Sequence, residues 1–134
     1  MSHLNHMLVL ARDVLQHTYS PYSNFPVSCV VRTADNQIFC GVNMENAAYP
    51  EGICAETAAL GAMVTAGKRA VVEVVICSPA QVLCFPCGGC RQRLAEFSTA
   101  ETIVHIAHAV NDVLQTTRMA ELLPHSFNKQ TLGA

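Results

Sequence analysis

Charged residues are scarce in this chain of 134 amino acids. Only 13% of the residues are charged and 51% are hydrophobic, so we expect much of the surface to be buried in a core or between subunits. The formal net charge of −2 lacks the excess of positive charge that is typical of nucleic-acid-binding proteins. The composition therefore agrees with an intracellular enzyme that has no nucleic-acid partner.

The sequence also lacks any segment that resembles a targeting signal or a membrane span. Residues 1–15 have no cationic region ahead of a long apolar run, which argues against a signal peptide. No apolar run approaches the roughly 18 residues that a membrane-spanning helix needs. Seven cysteines, an odd number without a secretion signal, favour free thiols over a disulfide framework. We expect a cytoplasmic protein of one domain, residues 1–134, with no membrane partner.

Hydrophobic periodicity predicts alternating helices and strands, and so an α/β fold. Helices are expected at residues 3–17, from Cys54 to about Gly67, from Cys87 to about Phe97, and at 118–123. Five strands are expected, at residues 27–33, 37–42, 71–77, 102–107 and 113–116. The first two should form a hairpin. The third is almost continuously apolar, which is typical of a buried central strand. The connection at 108–112 is too short for a parallel crossover, so the last two strands should be antiparallel.

Three cysteines have the spacing of a metal site. Cys87 and Cys90 are separated by two residues, and Cys54 can supply a third thiolate. Three protein ligands leave the fourth tetrahedral position of a zinc ion open, which is typical of catalytic zinc. Glu56 lies two residues after the first ligand, where it can move the protons of a water molecule. The pattern predicts a zinc hydrolase with one Zn²⁺ per chain.

Each ligand is expected at the start of a helix. Cys54 and the pair of Cys87 and Cys90 open predicted helices, where free amide groups and the helix dipole lower the pKa of a thiol. Two alternatives remain: a redox dithiol at the pair, or a structural zinc site with His105 or His108 as its fourth ligand. The two histidines are better explained as packing or surface residues.

The motifs Cys-Ala-Glu at 54–56 and Pro-Cys-Gly-Gly-Cys at 86–90 resemble the zinc-dependent cytidine deaminase family, in its small homotetrameric form. The resemblance extends from Ser20 to Phe127. It implies a three-layer α/β/α fold with a mixed five-stranded sheet whose last two strands are antiparallel. It also implies that Cys54, Cys87 and Cys90 bind Zn²⁺. Glu56 would move the protons while water replaces the amino group at C4 of cytosine.

The same resemblance implies a set of contacts to a pyrimidine nucleoside. Asn43 and Glu45 resemble the segment that grips the ribose, and a carboxylate there would repel a phosphate. Contacts with the base are implied for Phe25, Tyr49, Ala55 and Phe127, of which Phe127 would reach the pocket of a neighbouring subunit. Without the resemblance, Phe25 is equally well a core residue and Glu45 a solvated carboxylate.

Two positions beside the ligands bear on the charge of the site. Arg91, directly after Cys90, resembles the family arginine that hydrogen-bonds a ligand sulfur. The family usually has another arginine directly after the catalytic glutamate, where this chain has Thr57. One of two expected sulfur-neutralising cations is therefore absent.

Three other functions remain as alternatives. The blasticidin deaminase branch also lacks the arginine at the Thr57 position, but it lacks the ribose signature that Asn43 and Glu45 resemble. Nucleic-acid-editing deaminases usually have histidine as first ligand and a helix between the last two strands. A catalytically silent zinc protein would leave Glu56 without a task. The sequence therefore favours deamination of cytidine or deoxycytidine.

Overall fold

The structure of the protein is a computed structural model that describes residues 2–134. Its helices are α1 (His3–Val14), α2 (Ala55–Thr65), α3 (Gly88–Glu96) and α4 (Met119–Leu122). Its strands are β1 (Ser28–Thr33), β2 (Ile38–Val42), β3 (Val71–Ser78), β4 (Ile103–His108) and β5 (Leu114–Arg118). Short 3₁₀ helices span Leu15–His17, Tyr49–Glu51 and Lys129–Leu132. The predicted order of elements is confirmed, and most boundaries differ by one or two residues.

The five strands form one mixed sheet in the order β2-β1-β3-β4-β5. β1 pairs antiparallel with both β2 and β3, β3 pairs parallel with β4, and β4 pairs antiparallel with β5. The connection between β4 and β5 is short and contains no helix, as its length predicted. Within residues 2–134, no helix combines the length and the apolar character needed to cross a membrane.

Helices cover both faces of the sheet, which gives the three layers that the resemblance implied. Successive residues of β3 point to opposite faces, as strand geometry requires. Val75 and Cys77 lie in the core beneath α1, whereas Val74 and Ile76 lie in the larger core beneath α2 and α3. The expectation that β3 is buried on both faces is therefore confirmed.

Helix α2 lies directly against β2 because Gly41 has no side chain. A Cβ atom at Gly41 would lie 2.4 Å from the backbone nitrogen of Ala59 and 2.8 Å from the carbonyl oxygen of Ala55. Both atoms belong to the backbone of α2, so neither can swing away. Gly41 thus fixes the height of the first turn of α2 above the sheet, and that turn carries Glu56.

A polar network is buried on the face of the sheet that also carries α1. One oxygen of Glu73 accepts hydrogen bonds from Arg32 Nε and Nη2 at 3.0 and 2.9 Å, and the other lies 2.7 Å from His105 Nε2. Burial raises the pKa of the Glu73 carboxyl, but the bonds from His105 and Arg32 outweigh it and lower the pKa overall. His105 Nδ1 bonds to Thr116 at 2.8 Å. Both ring nitrogens of His105 thus have protein partners, so it packs rather than binds metal.

Candidate metal centre and active site

The three predicted metal ligands meet at the ends of two helices. The Sγ atoms of Cys54, Cys87 and Cys90 all lie within 4.8 Å of one another. Cys54 is the residue before α2, Cys87 is the residue before α3, and Cys90 lies in the first turn of α3. Three sulfur donors are the ligand type that zinc prefers, and they leave one tetrahedral position open. The donor set therefore fits one zinc ion.

Only one of the three thiols has the lowered pKa expected at a helix start. The backbone N–H of Cys90 donates to the Cys87 sulfur and lowers the pKa of Cys87. Burial raises the pKa of Cys54 and of Cys90, and the carboxylate of Glu56 raises both further. The expectation was wrong for those two thiols because desolvation outweighs the helix dipole. A bound cation is what deprotonates such thiols, so the cluster suits a metal better than a redox dithiol.

Glu56 is placed by the first turn of α2 and is only 4% exposed. Burial raises the pKa of its carboxyl group, against lowering contributions from its backbone N–H, from Cys90 and from the positive charge of Arg93. A carboxyl group with a raised pKa takes up a proton more readily than an exposed glutamate does. The geometry therefore gives Glu56 the properties of a proton carrier beside the thiol cluster.

A cleft of about 410 Å³ opens over the three cysteines. Its walls bring together most of the residues that the sequence assigned to the site. They are Phe25, Asn43, Glu45, Tyr49, Cys54, Ala55, Glu56, Cys87 and Cys90. Tyr49 is 75% exposed and Phe25 is 44% exposed, so both rings border the open side of the cleft. The individual substrate contacts of these residues stay predictions.

Asn43 and Glu45 hold the proline-containing loop that precedes β1 against the cleft. The Asn43 side chain accepts a hydrogen bond from Val27 N at 2.9 Å and donates one to Phe25 O at 2.8 Å. Glu45 accepts hydrogen bonds from the hydroxyl and the backbone N–H of Ser23. The Ser23 hydroxyl is the main cause of the lowered pKa of Glu45, so this side chain stays a carboxylate. Both side chains therefore fix the loop that forms one wall of the cleft. This structural role does not depend on any contact with a substrate.

Two residues assigned from the resemblance do not line this cleft. Arg91 donates from Nε to Pro86 O at 2.7 Å and from Nη1 to Leu122 O at 3.0 Å, which ties α3 to its preceding loop and to α4. Phe127 is 57% exposed, and its carbonyl oxygen accepts a hydrogen bond from Gln92 at 2.8 Å. The roles of Arg91 at sulfur and of Phe127 at the base stay predictions.

Sequence reasoning missed several residues of the site. Ile53, Cys84 and Phe85 also line the cleft. The available signal was adjacency, because Ile53 directly precedes a ligand and Phe85 lies two residues before one. Arg93, whose charge acts on Glu56, was also missed. Its signal was helical spacing, since it lies three residues after Cys90 and so on a neighbouring position of the helix surface.

Comparison with known proteins identifies the family to which this geometry belongs. Residues 1–106 match the family model described as the cytidine and deoxycytidylate deaminase zinc-binding region. The chain belongs to this family.

Individual relatives match over most of their length. A cytidine deaminase of Sporosarcina psychrophila is 33% identical over 127 residues, which are 95% of this chain and 93% of that protein. A cytidine deaminase of Mycoplasma pneumoniae is 42% identical over 96 residues, which are 68% of this chain and 69% of that protein. The crystal structure of cytidine deaminase from Burkholderia pseudomallei has a TM-score of 0.87 at 31% identity, and the match covers 95% of this chain and 100% of that chain. The mixed five-stranded fold is therefore that of the family.

Proposed function

We propose that this protein catalyses the zinc-dependent hydrolytic deamination of cytidine or deoxycytidine to uridine or deoxyuridine, with release of ammonia. The observation that carries the proposal is the buried carboxyl group of Glu56 in one cleft with three clustered cysteine sulfurs. The relatives described above are cytidine deaminases, which supports the same substrate here.

The residues of the cleft account for the proton movements of this reaction. Zinc, when held by Cys54, Cys87 and Cys90, supplies a Lewis acid that makes water a nucleophile near neutral pH. Glu56 accepts a proton from the attacking water and passes it to N3 of the ring. It then takes the proton of the new hydroxyl group at C4 and passes it to the departing amino group. An amine is a poor leaving group unless it is protonated, so a carboxyl group whose pKa is raised by burial suits this task.

The charges of the cleft favour a nucleoside over a nucleotide, although the family description includes deoxycytidylate. The described residues that line the cleft include Glu45 and Glu56 but no lysine or arginine. The lowered pKa of Glu45 keeps it negatively charged. A phosphate group at the ribose end would be repelled and would find no cation to pair with.

We further propose that the protein is a homotetramer in which each active site includes Phe127 from a neighbouring chain. Phe127 does not line the cleft of its own chain and exposes 57% of its surface. An aromatic ring with this much exposed surface suits a contact with another molecule. Closed symmetry is the usual arrangement of soluble oligomers, and it would bury such a ring.

The proposal includes one deaminase domain, residues 1–134, in a reducing compartment such as the cytoplasm. Both helical layers pack on one sheet, which supports a single domain. The seven cysteines are free thiols, and free thiols persist where disulfides are kept reduced.

A substrate panel tests the function. The purified protein is incubated with cytidine, deoxycytidine, deoxycytidylate, blasticidin S and single-stranded DNA, and both ultraviolet absorbance and ammonia are measured. We expect turnover of the two nucleosides and little of the nucleotide or the DNA. Turnover of blasticidin S alone would establish the rival deaminase function. Bound zinc without turnover of any compound would indicate a structural zinc protein.

A further inference from the structure

Ser23 lies in the proline-containing loop before β1 and lines the cleft together with Glu45. Its hydroxyl group donates a hydrogen bond to Oε2 of Glu45, which is a carboxylate and can only accept. The oxygen of the same hydroxyl group accepts a bond from Phe25 N at 3.1 Å, and a backbone N–H can only donate. Since neither partner leaves a choice of donor, the hydroxyl hydrogen of Ser23 points to Glu45.

The two oxygens of the Glu45 carboxylate are held in different ways. Oε1 accepts hydrogen bonds from the backbone N–H groups of Tyr22 and Ser23 at 2.9 and 3.1 Å. Oε2 accepts the bond from the Ser23 hydroxyl group. A carboxylate offers about four acceptor positions, shared equally by its two oxygens. Counted over residues 2–134, these bonds fill Oε1 and leave one acceptor position of Oε2 open.

A tight turn brings these donors to the same side of the loop. Asn24 has a φ of 55°, in the left-handed region that asparagine tolerates better than most residues, and its N–H donates to Ser20 O at 3.0 Å. The segment that carries Glu45 is tied to the start of the loop, because Glu45 N donates to Tyr19 O at 2.8 Å. Loop and carboxylate are therefore fixed to each other by backbone and side-chain bonds.

An open acceptor position on a carboxylate in the cleft suits a hydroxyl group of a sugar. Such a bond is charge-assisted and roughly twice as strong as a bond between neutral groups, and its strength depends on direction. The backbone bonds to Oε1 fix one end of the Glu45 carboxylate but still allow the group to turn about that end. The bond from the Ser23 hydroxyl group prevents this rotation and so determines where the open position of Oε2 points.

We propose that Ser23 is a positioning residue for sugar recognition, which orients the Glu45 carboxylate so that Oε2 accepts a hydrogen bond from a hydroxyl group on the sugar ring of the substrate. Ser23 acts through Glu45 and does not touch the base or the reacting atoms. The inference rests on the proposed function, because it needs a nucleoside in the cleft. It adds to that function the residue that makes binding depend on the sugar hydroxyl groups.

Steady-state kinetics with two nucleosides tests this inference. Cytidine has hydroxyl groups on its sugar ring, and 2′,3′-dideoxycytidine has none there. We expect Ser23→Ala to raise the KM for cytidine roughly tenfold with little change in kcat, because a hydrogen bond to a charged group is misdirected. The KM for 2′,3′-dideoxycytidine, or its inhibition constant against cytidine, should stay nearly unchanged. Ser23→Thr keeps the hydroxyl group and should have a KM for cytidine close to that of the unaltered protein.

Two controls separate the orientation of Glu45 from a general effect on the loop. Ser20→Ala removes a hydroxyl group of the same loop that lies 3.5 Å from Thr18 Oγ1, and it should leave both nucleosides unaffected. In a Glu45→Gln background, adding Ser23→Ala should raise the KM for cytidine little further, because the two residues act as one unit.

Three results would overturn the inference alone. They are equal effects of Ser23→Ala on the two nucleosides, equal kinetics of Ser23→Ala and Ser20→Ala, and an effect of Ser23→Thr as large as that of Ser23→Ala. Failure of the unaltered protein to deaminate cytidine would instead refute the proposed function, and the inference with it. The first measurement of the series therefore distinguishes the two failures.

Discussion

Glu56 differs from the three cysteines in what it contributes to the site. The cysteines provide sulfur donors, whereas the buried carboxyl group of Glu56 lies beside them and has a raised pKa. In the proposed reaction Glu56 moves protons without binding the metal, so it can be replaced while the metal stays. The two contributions are therefore separable by substitution.

We expect Glu56→Gln to lower turnover of cytidine by at least the roughly 10²–10⁴-fold that is typical of acid–base catalysis. Glutamine keeps the shape of glutamate but cannot carry the proton, and zinc should remain bound at close to one equivalent per chain. Cys87→Ala is the matched contrast, because it removes a ligand and should lose the zinc. Metal analysis and a cytidine assay on both variants check this. Near-normal activity in Glu56→Gln would rule out its role as proton carrier.

Arg91 shows where prediction from sequence stops for a single side chain. The sequence shows that Arg91 directly follows Cys90. It does not predict the hydrogen bonds that Arg91 donates to Pro86 O and Leu122 O. One of these partners is 31 residues away in sequence, so only the packing of α3 against α4 brings it within reach. Spacing along the chain predicted the ligands because they lie at helix starts, where local sequence determines the geometry.

The contact between α2 and β2 positions the first turn of α2, which carries Glu56. Gly41→Ala would place a methyl group 2.4 Å from a backbone nitrogen of α2. Because backbone must shift to make room, we expect a loss of about 1–3 kcal/mol in the free energy of unfolding. The first turn of α2 would move as well, with a loss of cytidine turnover. Urea unfolding and the cytidine assay measure the two effects.

Gly61→Ala is the control for this prediction. Gly61 lies within α2, and a Cβ atom there would meet nothing within 4 Å. Alanine is favoured over glycine inside helices by up to about 1 kcal/mol, so this variant should be as stable as the unaltered protein or more so. If Gly41→Ala behaved like Gly61→Ala, the close approach of α2 to β2 would not matter for stability.

The buried network of Arg32, Glu73 and His105 ties three neighbouring strands together. The folded-state pKa of Glu73 is lowered, so its stabilising contribution is present above the pKa of an unfolded glutamate, about 4.3. It is lost as the pH falls through the lower folded-state value. Glu73→Gln should therefore cost about 1.5–3 kcal/mol at pH 7, and the difference from the unaltered protein should shrink in strong acid.

Urea unfolding of both proteins at pH 7 and at pH 3 measures this difference. Glu101→Gln serves as the control, because Glu101 is 75% exposed and lies 3.7 Å from Arg118. Exposed pairs of this kind contribute little. A difference between Glu73→Gln and the unaltered protein that is equally large at both pH values would contradict the assigned ionisation.

The elements of this fold were predictable because their signals are local, whereas their contacts were not. Periodicity and loop length predicted the helices, the hairpin and the antiparallel final pair. The pairing of Glu73 with Arg32 and His105 joins residues 41 and 32 positions apart, and no local pattern encodes it. The close approach at Gly41 depends in the same way on how α2 crosses β2. The cleft combines local and long-range features. Its three cysteines lie at helix starts, which local sequence predicts, whereas its shape depends on how the elements pack.

For the molecule as a whole, the position of Phe127 bears on how many chains build one active site. The cleft of a single chain contains Phe25 and Tyr49 but not Phe127. Phe127 is held near α3 because its carbonyl oxygen accepts a hydrogen bond from Gln92, and the residue is 57% exposed. A chain with few charges and an exposed aromatic near its C-terminal end favours assembly with copies of itself. We therefore predict that Phe127 of a neighbouring chain completes each cleft.

We expect Phe127→Ala to raise the KM for cytidine, because an aromatic contact contributes on the order of 1 kcal/mol beyond its buried area.

The decisive experiment mixes Glu56→Gln chains with Phe127→Ala chains and lets subunits exchange. If each pocket takes its glutamate from one chain and its phenylalanine from another, about one pocket in four has both residues intact in a random mixture. Activity at low cytidine concentration should then exceed the mean of the two parents. Sedimentation or native mass spectrometry must show that mixed tetramers form. Mixed tetramers whose activity stays at the parental mean would show that each chain builds its own site.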